Sequence, residues 1–414
     1  MPKDKFVDWS PSSGRRHFLR SASVLGAGSL LGMPLGAHAA GKFVLDFENG
    51  ARDLVAFPQK RPLIVLTTRP PQLETPFEVF NQGVITPNDA FFVRYHLSGI
   101  PTAVDAATFR IKVGGKVNTP LSLSLEELKK IGDPVEFLAV NQCSGNSRGL
   151  FLPRANGGQL GNGAMGNAKW TGIPLKQVLE KAGVQTGAVQ VTFDGLDKGV
   201  YEATPDFVKA LNIDHALDGE VMIAYAMNGE DLPMLNGYPV RLIVPGYYGT
   251  YWVKHLSDIN VVDNVFNGFW MNPAYRIPDN ACACVEPGAA PAKTIPINRF
   301  NVRSFITSLK NGATVNMDRE TVVRGIAFDG GYGIKEVLFS ADGGRSWRGA
   351  ALGKDMGKYS FREWTIAFKP NSKGPQELMV RAVNRIGQSQ PTDPLWNPAG
   401  YMRNVVESVN VVAA

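Results

Sequence analysis

Cys143 lies in the run Leu138-Ala-Val-Asn-Gln-Cys-Ser-Gly-Asn-Ser-Arg-Gly149, where an apolar segment delivers one thiol to the start of a loop of small and polar residues. Arg148 follows five positions later. A thiolate with a fixed cation nearby suits a soft metal or an anion-handling reaction. As a nucleophile, Cys143 would need a base, normally histidine, and a third group to orient that base. Beyond residue 39 the histidines are His96, His215 and His255, and their spacing does not say whether any approaches Cys143, so this reading stays open. A plain core thiol fits poorly, because Ser-Gly-Asn-Ser-Arg reads as loop. A lone thiolate cannot hold zinc or an iron–sulfur cluster, but it can complete the coordination of a metal that an organic cofactor already grips.

The other two cysteines, Cys282 and Cys284, are spaced Cys-x-Cys, where a bridge is expected to be strained, and no second pair with zinc spacing follows them. They read as structural or incidental. No Cys-x-x-Cys-His motif for covalent haem attachment occurs. Donors and cations for a cofactor or an anionic substrate instead occur in short polar islands. These are Thr86-Pro-Asn-Asp-Ala-Phe-Phe-Val-Arg-Tyr-His96, Asn236-Gly-Tyr-Pro-Val-Arg241 and Pro245-Gly-Tyr-Tyr-Gly-Thr-Tyr-Trp-Val-Lys254.

The chain that must position these groups has 414 residues, which favours two domains, and its 44% apolar and 19% charged content is ordinary for a globular protein. The net charge of +6 is half accounted for by residues 1–39, where five cations face two carboxylates; the +3 that remains is too weak to argue for nucleic acid. That same segment carries Arg15-Arg16, a mildly apolar stretch from Ser23 to Met33, and Ala37-His38-Ala39. The pattern is that of a twin-arginine signal with an A-x-A cleavage site, implying export of a folded protein to the periplasm. Cargo of that route usually carries a cofactor. No run of about 18 apolar residues follows, so no membrane span is expected.

Residues 41–80 are Pro-rich and read as an irregular surface wrap. Between residues 85 and 285, strand-like runs (Phe109–Val113, Val135–Val140, Val189–Phe193, Val221–Ala226, Val240–Val244) alternate with helix signals. Ser124-Leu-Glu-Glu127 is a capping box, Pro174 and Gly183 bracket a second helix, and Asn228-Gly229 signals a hairpin. Residues 286–296 read as a linker. Beyond them, Thr321–Phe328, Ile334–Ser340, Trp364–Phe368, Leu378–Val383 and Val405–Val412 are short alternating strands separated by turns, as in an immunoglobulin-like β-sandwich. That part shows no catalytic cluster, so packing or dimerisation is its expected role. The fold class is therefore α+β, with a mixed sheet followed by a β-sandwich.

In this order the islands resemble the molybdopterin-dependent sulfite oxidase family. The resemblance rests on Phe-Phe-Val-Arg94-Tyr-His96, the Cys143 loop, Ala224-Tyr-Ala-Met-Asn-Gly-Glu-Asp-Leu-Pro233, Gly-Tyr-Pro-Val-Arg241, the Val244–Leu256 segment and Ser340-Ala-Asp-Gly-Gly-Arg-Ser-Trp347. It spans roughly residues 60–410 and is nearest to the catalytic subunit of bacterial, cytochrome-linked sulfite dehydrogenase. It implies a signal segment at 1–39, a molybdopterin-binding catalytic domain at 40–290 and a dimerisation domain at 291–414. It also implies molybdenum ligated by Cys143, a substrate pocket of Arg94, Arg148 and Tyr275 with His96 beside it, and pterin or phosphate contacts from Arg241 and Lys254. The implied reaction is sulfite to sulfate, with electrons passed to a separate c-type cytochrome. A sulfane-sulfur dehydrogenase subunit or a methionine sulfoxide reductase with the same cofactor is the alternative. The assembly would be a homodimer or a heterodimer with a haem subunit. The pattern departs from the animal enzymes near Gln159-Leu-Gly-Asn162, where a pocket tryptophan is missing, and has no N-terminal haem domain like theirs.

Overall fold

Two sheets, built from the chain's most apolar strands, carry the candidate residues on their edges and connecting loops. In the computed structural model, residues 57–414 are described in full and the strands Lys42–Val44 and Ala51–Val55 by their backbone. The twin-arginine segment lies outside the described residues. The first of the two sheets runs Glu230–Asp231, Met222–Met227, Met165–Pro174, Val135–Gln142, with Arg241–Ile243 also paired to Met222–Met227. The second runs Lys209–Asn212, Gln190–Gly195, Leu256–Val262, Ile111–Gly115, Leu121–Leu123, and is mixed, since Leu256–Val262 and Ile111–Gly115 are parallel. Trp170, Ile173, Val178, Leu179, Val191 and Ile259 are fully buried between these sheets and the helix Leu175–Ala182. Each such side chain contributes about 1.5–3 kcal/mol of burial free energy.

The local signals have physical counterparts. Ser124 accepts from the Glu127 backbone N–H while the Glu127 carboxylate accepts from the Ser124 N–H, closing the capping box on Leu125–Lys129. Gly183 ends Leu175–Ala182 in a left-handed conformation that a side chain would resist. Asn228 and Gly229 both have positive φ, as a two-residue primed turn requires, and join Met222–Met227 to Glu230–Asp231.

Residues 41–80 are not an irregular wrap. They build an antiparallel sheet with the order Lys42–Val44, Ala51–Val55, Leu63–Thr68, Pro71–Glu74, Val93–Arg94. Leu63, Leu73, Val93 and Tyr95 give it a small core of its own. The prolines sit at strand ends and turns, where the missing N–H costs nothing, and proline content hid the strands. The expected linker at 286–296 is shortened at its end, because Thr294–Pro296 pairs with Arg276–Pro278, while 286–293 stay irregular and largely exposed.

The last part is a sandwich of two sheets. One holds Arg303–Ile306, Thr321–Phe328, Arg362–Phe368 and Ala351–Leu352. The other holds Ala313–Val315, Glu407–Ala413, Gly374–Asn384, Ile334–Ser340 and Arg348–Gly349. Trp364, Val323, Val337, Phe339 and Leu378 fill it. Phe300, Phe305, Phe328 and Phe361 belong to the core of the preceding region, so the two parts share apolar contact. Polar contact joins them too. Arg303, fully buried, meets Glu407 at 2.7 Å, Arg403 meets the same carboxylate oxygen at 2.8 Å, and Arg303 donates at 3.0 Å to the Ser147 hydroxyl of the cysteine loop.

Glu407→Gln would leave two buried guanidiniums without their counter-charge. A loss of about 3–5 kcal/mol is expected, read by chemical denaturation; a change under about 1 kcal/mol would show that the network contributes no stability.

Candidate functional site

The strand Val135–Gln142 carries the chain inward and Cys143 follows at its end, almost wholly buried and free of any disulfide. The loop is clamped on both sides. The Cys143 N–H donates to Ala164 O at 2.9 Å, the Ser147 N–H to Gly161 O at 2.7 Å and the Gly149 N–H to Leu160 O at 2.8 Å. Asn146 N–H closes back on Cys143 O at 3.0 Å, and the Met402 N–H, from the sandwich part, donates to Ser144 O at 3.1 Å. A loop so tied holds the thiol at one position.

Cys143 opens into a narrow cavity whose wall also includes Arg94, His96, Tyr275, Arg241 and Lys254. Six of the seven expected site residues therefore converge. The seventh, Arg148, does not line this cavity. Its Nε donates to Ala399 O at 2.8 Å, one terminal nitrogen donates to Gly158 O at 3.3 Å, and its guanidinium lies 5.0 Å from the Tyr401 ring centre. Gly145 and Gly157 make room for it, since a Cβ on either would come within 2.7 Å of the guanidinium.

His96 is stacked on Phe207 at 4.0 Å between ring centres, and its Nε2 meets the Tyr275 hydroxyl in a very short contact. Burial, then Arg94 and Lys254, hold its pKa well below the ordinary value, so the imidazole is neutral at neutral pH. Tyr275 has a φ of 57°, an uncommon conformation for a bulky residue. The Ile297 N–H donates to its carbonyl at 2.8 Å, and its ring stacks on Tyr401 at 5.3 Å and 6°. Burial raises its pKa far above that of a free phenol, so the hydroxyl keeps its proton.

Arg241 donates to Asn236 O and Trp252 O, each at 3.0 Å, and lies over Trp170 at 5.2 Å. Lys254 donates to Arg94 O at 2.7 Å and sits over the Tyr95 ring at 4.1 Å. Behind them are two lysines that sequence reasoning missed. Lys209, fully buried, packs against Tyr251 and Tyr275 at 4.8 and 4.9 Å; Lys60 donates to Asn88 O, Phe91 O and the Asn236 side chain. Burial lowers Lys60, Lys209 and Lys254 each to about 7, and Arg241 to about 9. Among the described residues none of these cations makes an ion pair, and Asp197 is the carboxylate on the cavity wall. Lys209 had one legible signal, a charge at an apolar position of the strand Lys209–Asn212; Tyr401, in an irregular stretch, had none.

His255 is held on both ring nitrogens. Its Nδ1–H donates to Tyr238 O and its Nε2 accepts from the Tyr95 hydroxyl, both at 2.6 Å, while burial lowers it to about 4. His215 lies elsewhere, against Tyr247. Cys282 and Cys284 are joined to each other in spite of their Cys-x-Cys spacing.

Arg241 Nε, Asn141 Oδ1, Ser144 Oγ and Thr250 Oγ1 face this cavity region without a hydrogen-bond partner among the described residues. Left unmet, such groups cost about 1–3 kcal/mol each. Unmet donors and acceptors beside surplus positive charge fit an anionic, heteroatom-rich cofactor. Among the described residues no three His, Cys, Asp or Glu side chains cluster. Any metal here would have to be held chiefly by an organic ligand, with Cys143 as its protein donor.

Residues 97–270 match the oxidoreductase molybdopterin binding domain and residues 294–413 the Mo-co oxidoreductase dimerisation domain. The fold is thus that of a molybdopterin oxidoreductase. Chicken (Gallus gallus) sulfite oxidase is 32% identical over 363 residues, covering 83% of this chain and 77% of the enzyme. Rat (Rattus norvegicus) mitochondrial sulfite oxidase is 31% identical over 374 residues, covering 86% of this chain and 66% of the enzyme, so the chain spans about two thirds of that relative. The chain belongs to the sulfite oxidase family, and its cofactor is molybdenum–molybdopterin. The sulfane dehydrogenase SoxCD of Paracoccus pantotrophus shares the fold, with a TM-score of 0.69 over 92% of each chain at 22% identity.

Lysines lowered to about 7 take up protons on unfolding between pH 7 and their unfolded value near 10.5. Their contribution therefore makes the cofactor-free protein gain stability as pH rises through this window and lose it as pH falls toward 7. The cofactor-loaded protein should show a flatter dependence, because a bound anion favours the charged lysines. Melting temperatures of both forms from pH 6.5 to 9 test this; parallel curves would overturn it.

Proposed function

We propose that the protein oxidises sulfite to sulfate and passes the electrons to a separate c-type cytochrome. The observation that carries this reading is the convergence of a clamped, free Cys143 with Arg94, His96 and Tyr275 on a cavity of net positive charge. Sulfite is a small anion, and a cationic wall suits it. Molybdenum bound to molybdopterin supplies the oxygen-transfer and two-electron chemistry. Cys143 would ligate the metal, and Arg241, Lys254, Ser144 and Thr250 would hold the cofactor's anionic and polar groups. Arg94 would bind oxyanion oxygens, and Tyr275, kept protonated, would donate a hydrogen bond to the same group. Neutral His96, donating from Nε2–H to the Tyr275 oxygen, would aim the phenolic proton at that group. Arg148 would contribute positive field from just behind the wall. The chain lacks a c-type haem attachment motif, which supports a separate haem acceptor.

Export to the periplasm belongs to the same proposal and rests on Arg15-Arg16 and the Ala37-x-Ala39 pattern; an R15K/R16K variant that still reaches the periplasm would remove it. The family's dimerisation module supports a dimer, either of this chain or with a haem subunit; sedimentation of the purified protein decides which.

Metal analysis combined with sulfite-dependent cytochrome c reduction tests the reaction. Cys143→Ser is expected to abolish turnover with the fold intact. Arg94→Gln should weaken sulfite by about ten- to a hundredfold in KM, the value of a charge-assisted hydrogen bond. Turnover of thiosulfate or methionine sulfoxide in preference to sulfite would sink the substrate assignment and leave the cofactor assignment standing.

A further inference from the structure

Tyr401 comes from the sandwich part, within the segment that matches the dimerisation module. It sits against the site all the same. One ring face stacks on Tyr275 at 5.3 Å and 6°, and the Arg148 guanidinium lies 5.0 Å from the ring centre. Its loop is organised for that placement. The Tyr401 N–H donates to the Asn397 side chain at 3.0 Å, and that side chain donates back to Tyr401 O at 2.8 Å. Ala399 O accepts from Arg148 Nε, and the Met402 N–H is tied to Ser144 beside Cys143. Gly400 is required here: its φ is 59°, and a Cβ would meet Ala155 and the Arg148 side chain at 2.7 and 2.8 Å.

Arg148 thus lies outside the cavity wall, in a slot made by two glycines of its own region and by a loop of the C-terminal part. Tyr275, strained in φ, leans on the same ring. We infer that Tyr401 is a positioning residue that sets oxyanion affinity by holding Arg148 and Tyr275 in register, so that the C-terminal part takes part in substrate selection. The inference rests on the site reading proposed above. Tyr401 acts through its aromatic face. A flat ring gives the guanidinium a cation–π surface and gives Tyr275 a stacking partner, and an aliphatic side chain gives neither.

The test uses the molybdenum-loaded protein with Tyr401→Leu and Tyr401→Phe. Sulfite KM and kcat are measured across pH 6–9, and binding of inorganic sulfate by calorimetry. Tyr401→Leu should raise KM about tenfold, the worth of one desolvated cation–π contact, with a smaller change in kcat and a parallel loss of sulfate affinity. Tyr401→Phe, which keeps the ring, should recover both to within about threefold. If Tyr401→Leu fails to accumulate, Tyr401→Met carries the same expectation. Unchanged KM and sulfate affinity in the aliphatic variant would overturn the inference, and so would equal damage in Tyr401→Phe. If the wild type oxidises no sulfite, the functional reading fails on its own, and the sulfate titrations alone decide the role of Tyr401.

Discussion

The constraint on which the site depends is a surplus of buried positive charge. Arg241, Lys209 and Lys60 are nearly or wholly withdrawn from water and Lys254 is partly so; Arg94, Arg241 and Lys254 line the wall, where Asp197 is the opposing carboxylate. Burying an unpaired charge costs several kcal/mol even after relaxation. The fold meets part of that cost with carbonyl acceptors, namely Asn236 O, Trp252 O, Arg94 O and Phe91 O, and with the faces of Tyr95, Trp170, Tyr251 and Tyr275. Carbonyls and rings offer partial negative charge that orients a cation without neutralising it. The remaining positive potential is therefore available to an anionic cofactor, and binding it is what completes the core. The depressed lysines express the same fact as proton affinity.

The thiol depends on a second device. Cys143 is held by the segment 160–164 on one side and by Met402 on the other, and Ser147 of its loop is anchored to Arg303, Glu407 and Arg403. The sandwich is thus part of what positions the cysteine. Glu407 is thus linked to the cysteine loop through Arg303 and Ser147.

Much of this was legible in residue order. The capping box, the helix stop at Gly183, the Asn228-Gly229 turn and the strand signals from Val135 onward are local, and local chemistry decided them. The site residues were legible because they sit in compact islands. What escaped detection was non-local. Leu63–Thr68 and Pro71–Glu74 pair into a sheet whose apolar face is short, and proline masked it. Lys209 and Tyr401 lie 66 residues before and 126 residues after Tyr275, in stretches with no motif of their own. Only packing brings them to Tyr275. The dimerisation role expected for the sandwich matches its family module, but a single ring in an irregular loop, such as Tyr401, has no sequence signature.

Charge alone cannot direct the proposed reaction, because substrate and product are both oxyanions and the cationic wall attracts either. Discrimination must come from groups that respond to geometry. Tyr275 and His96 are suited to that task, because burial keeps both neutral: the phenol retains its proton and the imidazole stays without a second one. A neutral pair exchanges a hydrogen bond, and little net charge, as the group opposite changes shape. Its contribution can therefore differ between bound states that the lysines and arginines treat alike, which is what differential stabilisation requires. The strained backbone of Tyr275 and its stacking on Tyr401 follow from the same need. A hydroxyl that must distinguish shapes has to be held in one place.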